Sequence, residues 1–333
     1  MKLSIVILNW NDQKVISDCL ASIYASTHST EFEVIVSDNG STDGSIEYIR
    51  QNFPKVRLLE NGMNLRFAKG NNVAIRVSKG DYVLILNPDT IIHDGALDKM
   101  VVYADKHPEA GGFGCRVLNA DGSYQGCIWP MYTLRSEWCA ALGLAPLAYI
   151  SEWFNPNRYV RWKGDTKRTV GWPAGCFILV RGDLLRGLDG FDEQFFYFYE
   201  DTDLCRRIWE AGYPILYTPE ITITHLGGQS TKRRFPPIGF ALDGQVTRYL
   251  YYYKYYGARG ARSCHRAVLT SLFVRKLIYG IAAVLKPSEE AKENLTLLRQ
   301  LYDWNLRVDP VRLVEHGEEP TLEGVEMQRV MDR

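Results

Sequence analysis

Four places in this chain have the residue types and spacing for chemistry. The first is Asp89, near the end of the stretch DYVLILNPDT. Tyr82 to Leu86 is a short apolar run closed by turn residues, the pattern of a strand buried on both faces of a parallel sheet. Pro88 has no N–H for a ladder, so the strand stops there and Asp89 stands at its carboxyl end, beside the amide of Asn87. In open α/β sheets, ligands sit outside those strand ends. A carboxylate in that position suits a divalent cation carrying phosphates, and it equally suits a turn or helix cap.

The second place is Asp38, which closes another apolar run in the sequence SDNGSTDGS. Its carboxylate can accept the imide N–H of a pyrimidine base or hold an Asn-Gly turn. The third is the loop from Asn61 to Asn72, whose amides and glycine N–H groups suit a ribose or a diphosphate; Asn64 and Arg66 lie in it. It lacks the G-x-G-x-x-G pattern, which removes the main support for hydride transfer. The fourth is Glu200-Asp201, which follows an aromatic run at the start of a helix. There the helix dipole favours an ionised carboxylate while desolvation raises its basicity, the two requirements of a general base. An acidic first turn of an ordinary amphipathic helix reads the same way.

These places need a scaffold. Leu3–Leu8, Phe32–Ser37, Val56–Glu60 and Tyr82–Leu86 read as strands, and helical patterns separate them. That alternation is the βαβ signature of a doubly wound sheet. Ser41 or Thr42 is placed to cap the helix carrying Ile46 and Ile49. Phe177–Val180 is a further buried strand, Ile215–Tyr217 and Ile221–Thr224 are strand-like, and Gln245–Tyr256 is a Tyr-rich helix. The last 20 or so residues read as solvated.

Composition narrows the field. The chain has 333 residues, enough for one large domain with an appendage. Its 39 basic residues balance 39 acidic ones, which argues against a nucleic-acid partner. Seven cysteines with no C-x-x-C pair fit a reducing cytoplasm better than a disulfide framework or a zinc site. The opening apolar run is too short for a signal peptide, and no uncharged apolar stretch of about 18 residues predicts a transmembrane helix.

In this order, SIVILNWND, VIVSDNGSTDGS, NLRFAKGNN, ILNPDT, PAGCFILVRGDLL, FFYFYEDTDLCRRIWEAGY and HLGGQST resemble the family-2 inverting glycosyltransferases, nearest their rhamnosyltransferase-like branch. The resemblance covers roughly residues 3 to 260. It implies a GT-A fold, a Rossmann-like, mostly parallel α/β sheet flanked by helices, with a C-terminal helical extension. The expected division is residues 1–245 as the catalytic domain, with 1–110 for the nucleotide-sugar and 111–245 for the acceptor, and 246–333 as the extension.

The resemblance also assigns roles. Asp38 looks like the base-recognising aspartate, Asn9 and Asn72 like nucleotide contacts, Asp89 like the metal-binding aspartate, and Asp201, with Glu200 beside it, like the catalytic base. The usual Asp-x-Asp is Asn87-Pro88-Asp89 here, so one carboxylate is missing and a second ligand is wanted for Mg²⁺ or Mn²⁺. His225 resembles a metal-ligating histidine, although a lone His after a strand is often a hydrogen-bonded structural residue. Arg66 replaces the family's usual Gly and points either to the diphosphate or to solvent.

The implied reaction transfers a sugar from a nucleoside diphosphate-sugar, with dTDP-rhamnose as the guess from the branch, to a hydroxyl of a glycan or polyprenyl-linked acceptor. Lys232, Arg233 and Arg234 are candidates for closing over the phosphates, or a solvated charge run. Val274, Leu277, Ile278, Ile281, Val284 and Leu285 fall on one helical stripe near Arg275 and Lys276. That suits a helix lying peripherally on the cytoplasmic face of the inner membrane, or packing on the catalytic domain or on a second subunit of a homodimer. A nucleotidyltransferase would want a basic Gly-rich signature near the first strand, which LNWNDQK does not supply. A non-catalytic sugar-nucleotide binder would not need Glu200-Asp201.

Overall fold

A computed structural model of the chain describes residues 1–196, 198–227, 237–285 and 288–318. The chain forms two compact units that do not follow chain order. One comprises Met1–Met131, Trp162–Phe196 and the described part of Glu200–Arg233; the other is built from Tyr132–Arg161, the segment ending at Tyr199, and the described residues of Arg234–Arg333.

The first unit is an α/β sheet. Its strands are β1 (Leu3–Asn9), β2 (Phe32–Asp38), β3 (Arg57–Glu60), β4 (Tyr82–Leu86), β5 (Thr90–Ile92), β6 (Gly112–Leu118), β8 (Arg168–Val170), β10 (Phe177–Arg181) and β11 (Ile215–His225). They run in the order β3-β2-β1-β4-β10-β6-β11-β5, with β8 also paired to β11. The four strands from β3 to β4 are parallel, and β10 inserts antiparallel between β4 and β6. Every residue of β4 is buried, as a continuous apolar run between two layers requires. Helices α1 (Gln13–Ser26), α2 (Ser45–Asn52), α3 (Arg66–Val77), α4 (Ala96–Asp105), α6 (Gly182–Gly187) and α7 (Glu200–Glu210) accompany the sheet. The core between them includes Ile5, Ile16, Leu84, Met100 and Phe113. A two-stranded ribbon, β7 (Ile128–Trp129) with β9 (Trp172–Pro173), stacks Trp129 on Trp172 with ring centroids 4.3 Å apart.

Two local expectations change. The pieces Ile215–Tyr217 and Ile221–Thr224 are one strand, because β11 absorbs Pro219 in a register shift between Thr218 and Thr222 and goes on pairing with β6. Neither Ser41 nor Thr42 caps α2: Gly44 occupies the cap at φ 87°, and Ser41 turns back to Asp38.

The second unit is helical: α5 (Leu134–Ala141), α8 (Pro237–Leu285), α9 (Glu289–Arg307) and α10 (Pro310–His316). α8 extends the predicted Tyr-rich helix in both directions and breaks at Gly257, whose φ is 63°. Tyr249, Tyr251 and Tyr252 are buried, whereas Val274, Leu277, Ile278, Ile281, Val284 and Leu285 are all exposed, Val284 at 80%. Arg275 and Lys276 interrupt the apolar run in the sequence. By length and composition alone, with these two charges counted in, Ala241–Leu285 is long and apolar enough to cross a membrane. Lys232, Arg233, Arg234 and the final tail lie outside the described residues.

Candidate active site

The parallel half of the sheet ends in a polar cluster. Asn9 and Asp38 sit at the carboxyl ends of β1 and β2, paired in register, and both are fully buried. Asp38 Oδ2 accepts from Asn9 Nδ2 and from the Ser41 hydroxyl, each at 2.6 Å, while Oδ1 accepts the Ser41 N–H at 2.8 Å. Asn9 Oδ1 is buried and has no hydrogen-bond partner. Gly40, at φ 74°, carries the chain out of this turn. Beside it, Asn39 Nδ2 donates to Asn64 Oδ1 and to the carbonyl of Arg66, both at 3.1 Å. Arg66 adopts φ 66°, an unusual conformation for a side-chain-bearing residue, and its guanidinium lies 4.2 Å from the centroid of the Phe196 ring. A glycine, which the resemblance leads one to expect there, would adopt this φ without strain.

Asn72, expected as a nucleotide contact, has its amide engaged by the 190–193 turn. Its Nδ2 donates to the Phe191 carbonyl at 2.9 Å and to Glu193 Oε1 at 3.0 Å, and its Oδ1 accepts the Phe191 N–H at 2.8 Å. A Cβ at Gly190 would stand 2.3 Å from that same Oδ1. Asn72 is a clamp on the 190–193 turn.

At the end of β4, Asp89 is 5% exposed and its Oδ1 lies 3.1 Å from His225 Nε2, contributed by the end of β11. Asn87 Nδ2 is 3.5 Å from the same nitrogen. On its other side, His225 Nδ1 pairs with Gln125 Oε1 at 2.6 Å. An amide oxygen can only accept, so Nδ1 carries the hydrogen. Nε2 of a neutral ring then turns a lone pair toward a carboxylate oxygen, and two such atoms need a proton or a cation between them. Burial pushes the imidazole pKa down, but the hydrogen bonds and charges of Asp89 and Cys127 outweigh it and hold it up at about 9. Asp89 and His225 therefore fit a divalent ion, and an oxygen–nitrogen donor pair suits Mn²⁺ better than Mg²⁺, which prefers oxygen alone.

The first turn of α7 carries three acids in three different surroundings. Asp203 is fully buried and paired with Arg207 at 2.8 Å, and Arg207 holds the carbonyls of Leu188 and Gly190. Glu200 is 9% exposed and its Oε2 makes no hydrogen bond. Desolvation, with the Asp201 charge behind it, pushes its pKa well above the usual carboxylate range. Asp201 Oδ2 accepts the Gly175 N–H at 3.1 Å and Oδ1 accepts the Thr202 N–H at 2.7 Å. Desolvation raises it to about 6 despite those bonds. Phe198 and Tyr199, just before this turn, have φ of 67° and 66°, two consecutive strained residues.

Gly175 connects the two halves of the site. Its neighbour Cys176 offers an Sγ that lies within 4.8 Å of a ring nitrogen of His225 and of the Cys127 Sγ, and its carbonyl accepts the Asn87 N–H at 3.3 Å. One segment thus touches the Asp201 carboxylate and the Asp89–His225 pair.

Residues 4–132 match the family described as Glycosyl transferase family 2. The N-acetylglucosaminyl-diphospho-decaprenol L-rhamnosyltransferase of Mycobacterium tuberculosis is 33% identical over 226 residues, which span 64% of this chain and 72% of that protein. The chain belongs to glycosyltransferase family 2. Rhamnosyltransferase WbbL of Escherichia coli is 25% identical over 239 residues, 69% of this chain and 86% of the other, which keeps this transferase on the rhamnosyltransferase-like branch. Its GT-A fold is shared with the mannosyltransferase PcManGT of Pyrobaculum calidifontis, solved with GDP-Man and Mn²⁺, at a TM-score of 0.56 and 16% identity over 96% of this chain and 88% of that one.

Several residues of this transferase's site escape a sequence reading. Gln125, which orients His225, stands exactly 100 positions before it in the chain. Cys127 and Cys176 were set aside for want of a C-x-x-C spacing, yet the fold assembles them with His225. A hydrogen bond from Cys176, with His225 beside it, draws the Cys127 thiol down to about 6 against its burial, while Cys176 itself is pushed up.

Proposed function

We propose that this transferase moves a sugar, with inversion at the anomeric carbon, from a nucleoside diphosphate-sugar to a hydroxyl of a glycan or lipid-linked acceptor in cell-surface polysaccharide assembly. The observation that carries this reading is the Gly175-Cys176 segment, which meets a carboxylate of raised basicity on one side and a carboxylate–imidazole pair on the other.

In this reading Asp201 takes the proton of the acceptor hydroxyl as it attacks. Glu200, neutral beside it, keeps a second negative charge away from the reacting centre. Asp89 and His225 would hold Mg²⁺ or Mn²⁺, with Asn87 beside them. When bound, the ion supplies charge neutralisation for the departing diphosphate. Asp38 and Asn9 shape the base end of the donor cleft, and Asn64 orders the loop that presents Arg66 to the diphosphate. dTDP-rhamnose is the proposed donor because both named relatives are rhamnosyltransferases. The exposed apolar face of α8 would rest peripherally on the cytoplasmic side of a membrane that carries the acceptor.

The test is a panel of nucleoside diphosphate-sugars with Mn²⁺ or Mg²⁺, read by release of nucleoside diphosphate and by NMR of the product's anomeric configuration. Turnover of one donor with inversion is expected. Retention, or no turnover of any donor with or without acceptor lipid, would count against the reading.

A further inference from the structure

The hairpin that follows β6 ends beside His225. β6 and β11 run parallel, with Val117 opposite Ile223 and Leu118 opposite Thr224. Beyond Leu118 the chain turns back on itself. The Asn119 N–H donates to the Ser123 carbonyl at 2.8 Å, Gly122 supplies a φ of 80°, and the Gln125 N–H returns to the Val117 carbonyl at 2.9 Å. Gln125 is thereby fixed to the strand whose neighbour carries His225. The approach is close enough to leave little room at residue 227, where a Cβ on Gly227 would stand 3.1 Å from Gln125 Nε2 on a backbone of φ 63°.

The side chains of this hairpin form one continuous chain of hydrogen bonds, and its direction can be read from the far end. Asp121 stands at the exposed tip, and the hydroxyl and N–H of Ser123 hold its carboxyl below the usual range. An ionised carboxylate only accepts, so the Ser123 hydroxyl donates to it at 2.6 Å, which leaves the hydroxyl oxygen to accept Asn119 Nδ2 at 2.9 Å. Asn119 then turns its Oδ1 to Gln125, which must present Nε2, and the two lie 2.8 Å apart. The second hydrogen of that nitrogen points to the His225 carbonyl at 3.3 Å, another group that only accepts. Gln125 Oε1 is therefore the atom that faces His225 Nδ1 at 2.6 Å. Cys127 Sγ, 3.2 Å from the same oxygen, does not set the amide, because the two acceptors around Nε2 already fix its direction.

We infer that Gln125 is a positioning residue for ion binding at His225, and that the turn from Asn119 to Ser123, anchored on Asp121, sets the direction in which it acts. With Oε1 toward Nδ1, the ring hydrogen is kept on Nδ1, and the Nε2 lone pair stays turned to Asp89 Oδ1, 3.1 Å away. The reversed amide would offer an N–H to Nδ1, move the ring hydrogen to Nε2 and close the ligand position. Gln125 grips the main chain of the same histidine as well, so ring and backbone are held by one side chain. The inference rests on the reading of Asp89 and His225 as the ion site and adds to it the group that makes the imidazole a ligand. Four residues of an exposed hairpin, none of them in contact with the ion, thus acquire a part in holding it.

The test is a titration of the full chain with Mn²⁺ in the absence of any sugar donor, read by electron paramagnetic resonance of the free ion, with thermal melting of each variant alongside. Gln125→Leu and Gln125→Glu both lose the bonds to Asn119 and to the His225 carbonyl, but only the Glu variant keeps an acceptor for the Nδ1 hydrogen. Gln125→Leu should weaken Mn²⁺ binding about 10–100-fold, whereas Gln125→Glu should bind within about threefold of wild type or more tightly. Losses of equal size in the two variants would make Gln125 a packing residue of the hairpin and overturn the inference, as would wild-type affinity in Gln125→Leu. Asn119→Ala covers the case of a Leu variant that does not fold. It unties the amide from Asp121 and should weaken binding about three- to tenfold, and no change would remove the hairpin from the ion site. His225→Ala separates the two ideas. If it binds Mn²⁺ as wild type does, or if wild type binds none, the ion site is misplaced and the inference falls with it. If it binds weakly while Gln125→Leu matches wild type, the ion site stands and the role of Gln125 is overturned.

Discussion

Asp201 Oδ2 accepts the backbone N–H of Gly175 at 3.1 Å, and the residue after Gly175, Cys176, belongs to the group around His225. A single short connection thus fixes the acid at the start of α7 against the end of β4 that carries Asp89. Asp201→Asn keeps the side chain's size and one acceptor oxygen but cannot take a proton. The expected result is normal folding and donor affinity with turnover reduced about 10²–10⁴-fold. Near-normal turnover would remove Asp201 from the mechanism.

The same substitution makes a thermodynamic prediction. The Asp201 pKa rises from an ordinary 3.8 to about 6 in the folded chain, so the folded state holds this proton more tightly than the unfolded one. The fold is therefore undisturbed by this group below pH 3.8 and loses stability as pH rises through about 6. Asp201→Asn removes that loss. Its melting temperature should exceed wild type at about pH 8, by an offset on the order of 2–3 kcal/mol, and the gap should close at about pH 4. Equal melting temperatures at both pH values would show that the carboxylate is not desolvated.

Activity should follow the same ionisation with the opposite benefit. As the proposed base, Asp201 works only when ionised, so kcat/KM should fall about tenfold per pH unit below about 6 and level off above it. Glu200, held neutral by burial and by the Asp201 charge, should not shape this profile. Glu200→Gln matches its neutral form and should retain activity within a few fold, about 1 kcal/mol or less. Loss comparable to that of Asp201→Asn would make Glu200 the base instead.

How far the sequence reached can be judged residue by residue. The run from Tyr82 to Leu86 and the proline that stops it read directly, because a buried parallel strand leaves an unmistakable apolar block. Asp89 and Asp201 were legible as single positions. Their relation through Gly175 was not, since a glycine N–H has no side-chain signature and the partners lie 26 positions apart. The partners of Asn72 were not legible, because a motif position does not say which way an amide points; the 190–193 turn holds it. The joining of Tyr132–Arg161 to the C-terminal helices was also invisible, because that packing depends on scattered contacts such as the hydrogen bond from Trp138 Nε1 to Ser263 Oγ rather than on any periodic pattern.

The clamp reading of Asn72 has its own consequence. Asn72→Ala leaves the Phe191 N–H without its acceptor in a buried place and removes two donated bonds. A destabilisation of about 1–3 kcal/mol is expected by chemical denaturation, with KM for the donor unchanged. A raised donor KM at unaltered stability would return Asn72 to the nucleotide site.

The donor set around His225 leads to the last prediction. Asp89 and His225 supply one oxygen and one nitrogen, but Cys127 and Cys176 add two sulfurs within reach of the same imidazole, and the Cys127 thiol is drawn down to about 6. Imidazole and thiolate together favour Zn²⁺ over Mn²⁺ or Mg²⁺. Zinc should therefore bind here in competition with the Mn²⁺ or Mg²⁺ proposed above. Cys127→Ser/Cys176→Ser, which removes both sulfurs and leaves Asp89 and His225 intact, should relieve zinc inhibition by at least about tenfold while preserving activation by Mn²⁺. Co²⁺ provides a readout independent of turnover: the wild-type chain should show a thiolate-to-cobalt absorption band that the double variant lacks. If the band and the zinc sensitivity persist without the two thiols, the sulfurs are packing residues, and the proposed ion site is reduced to Asp89 and His225.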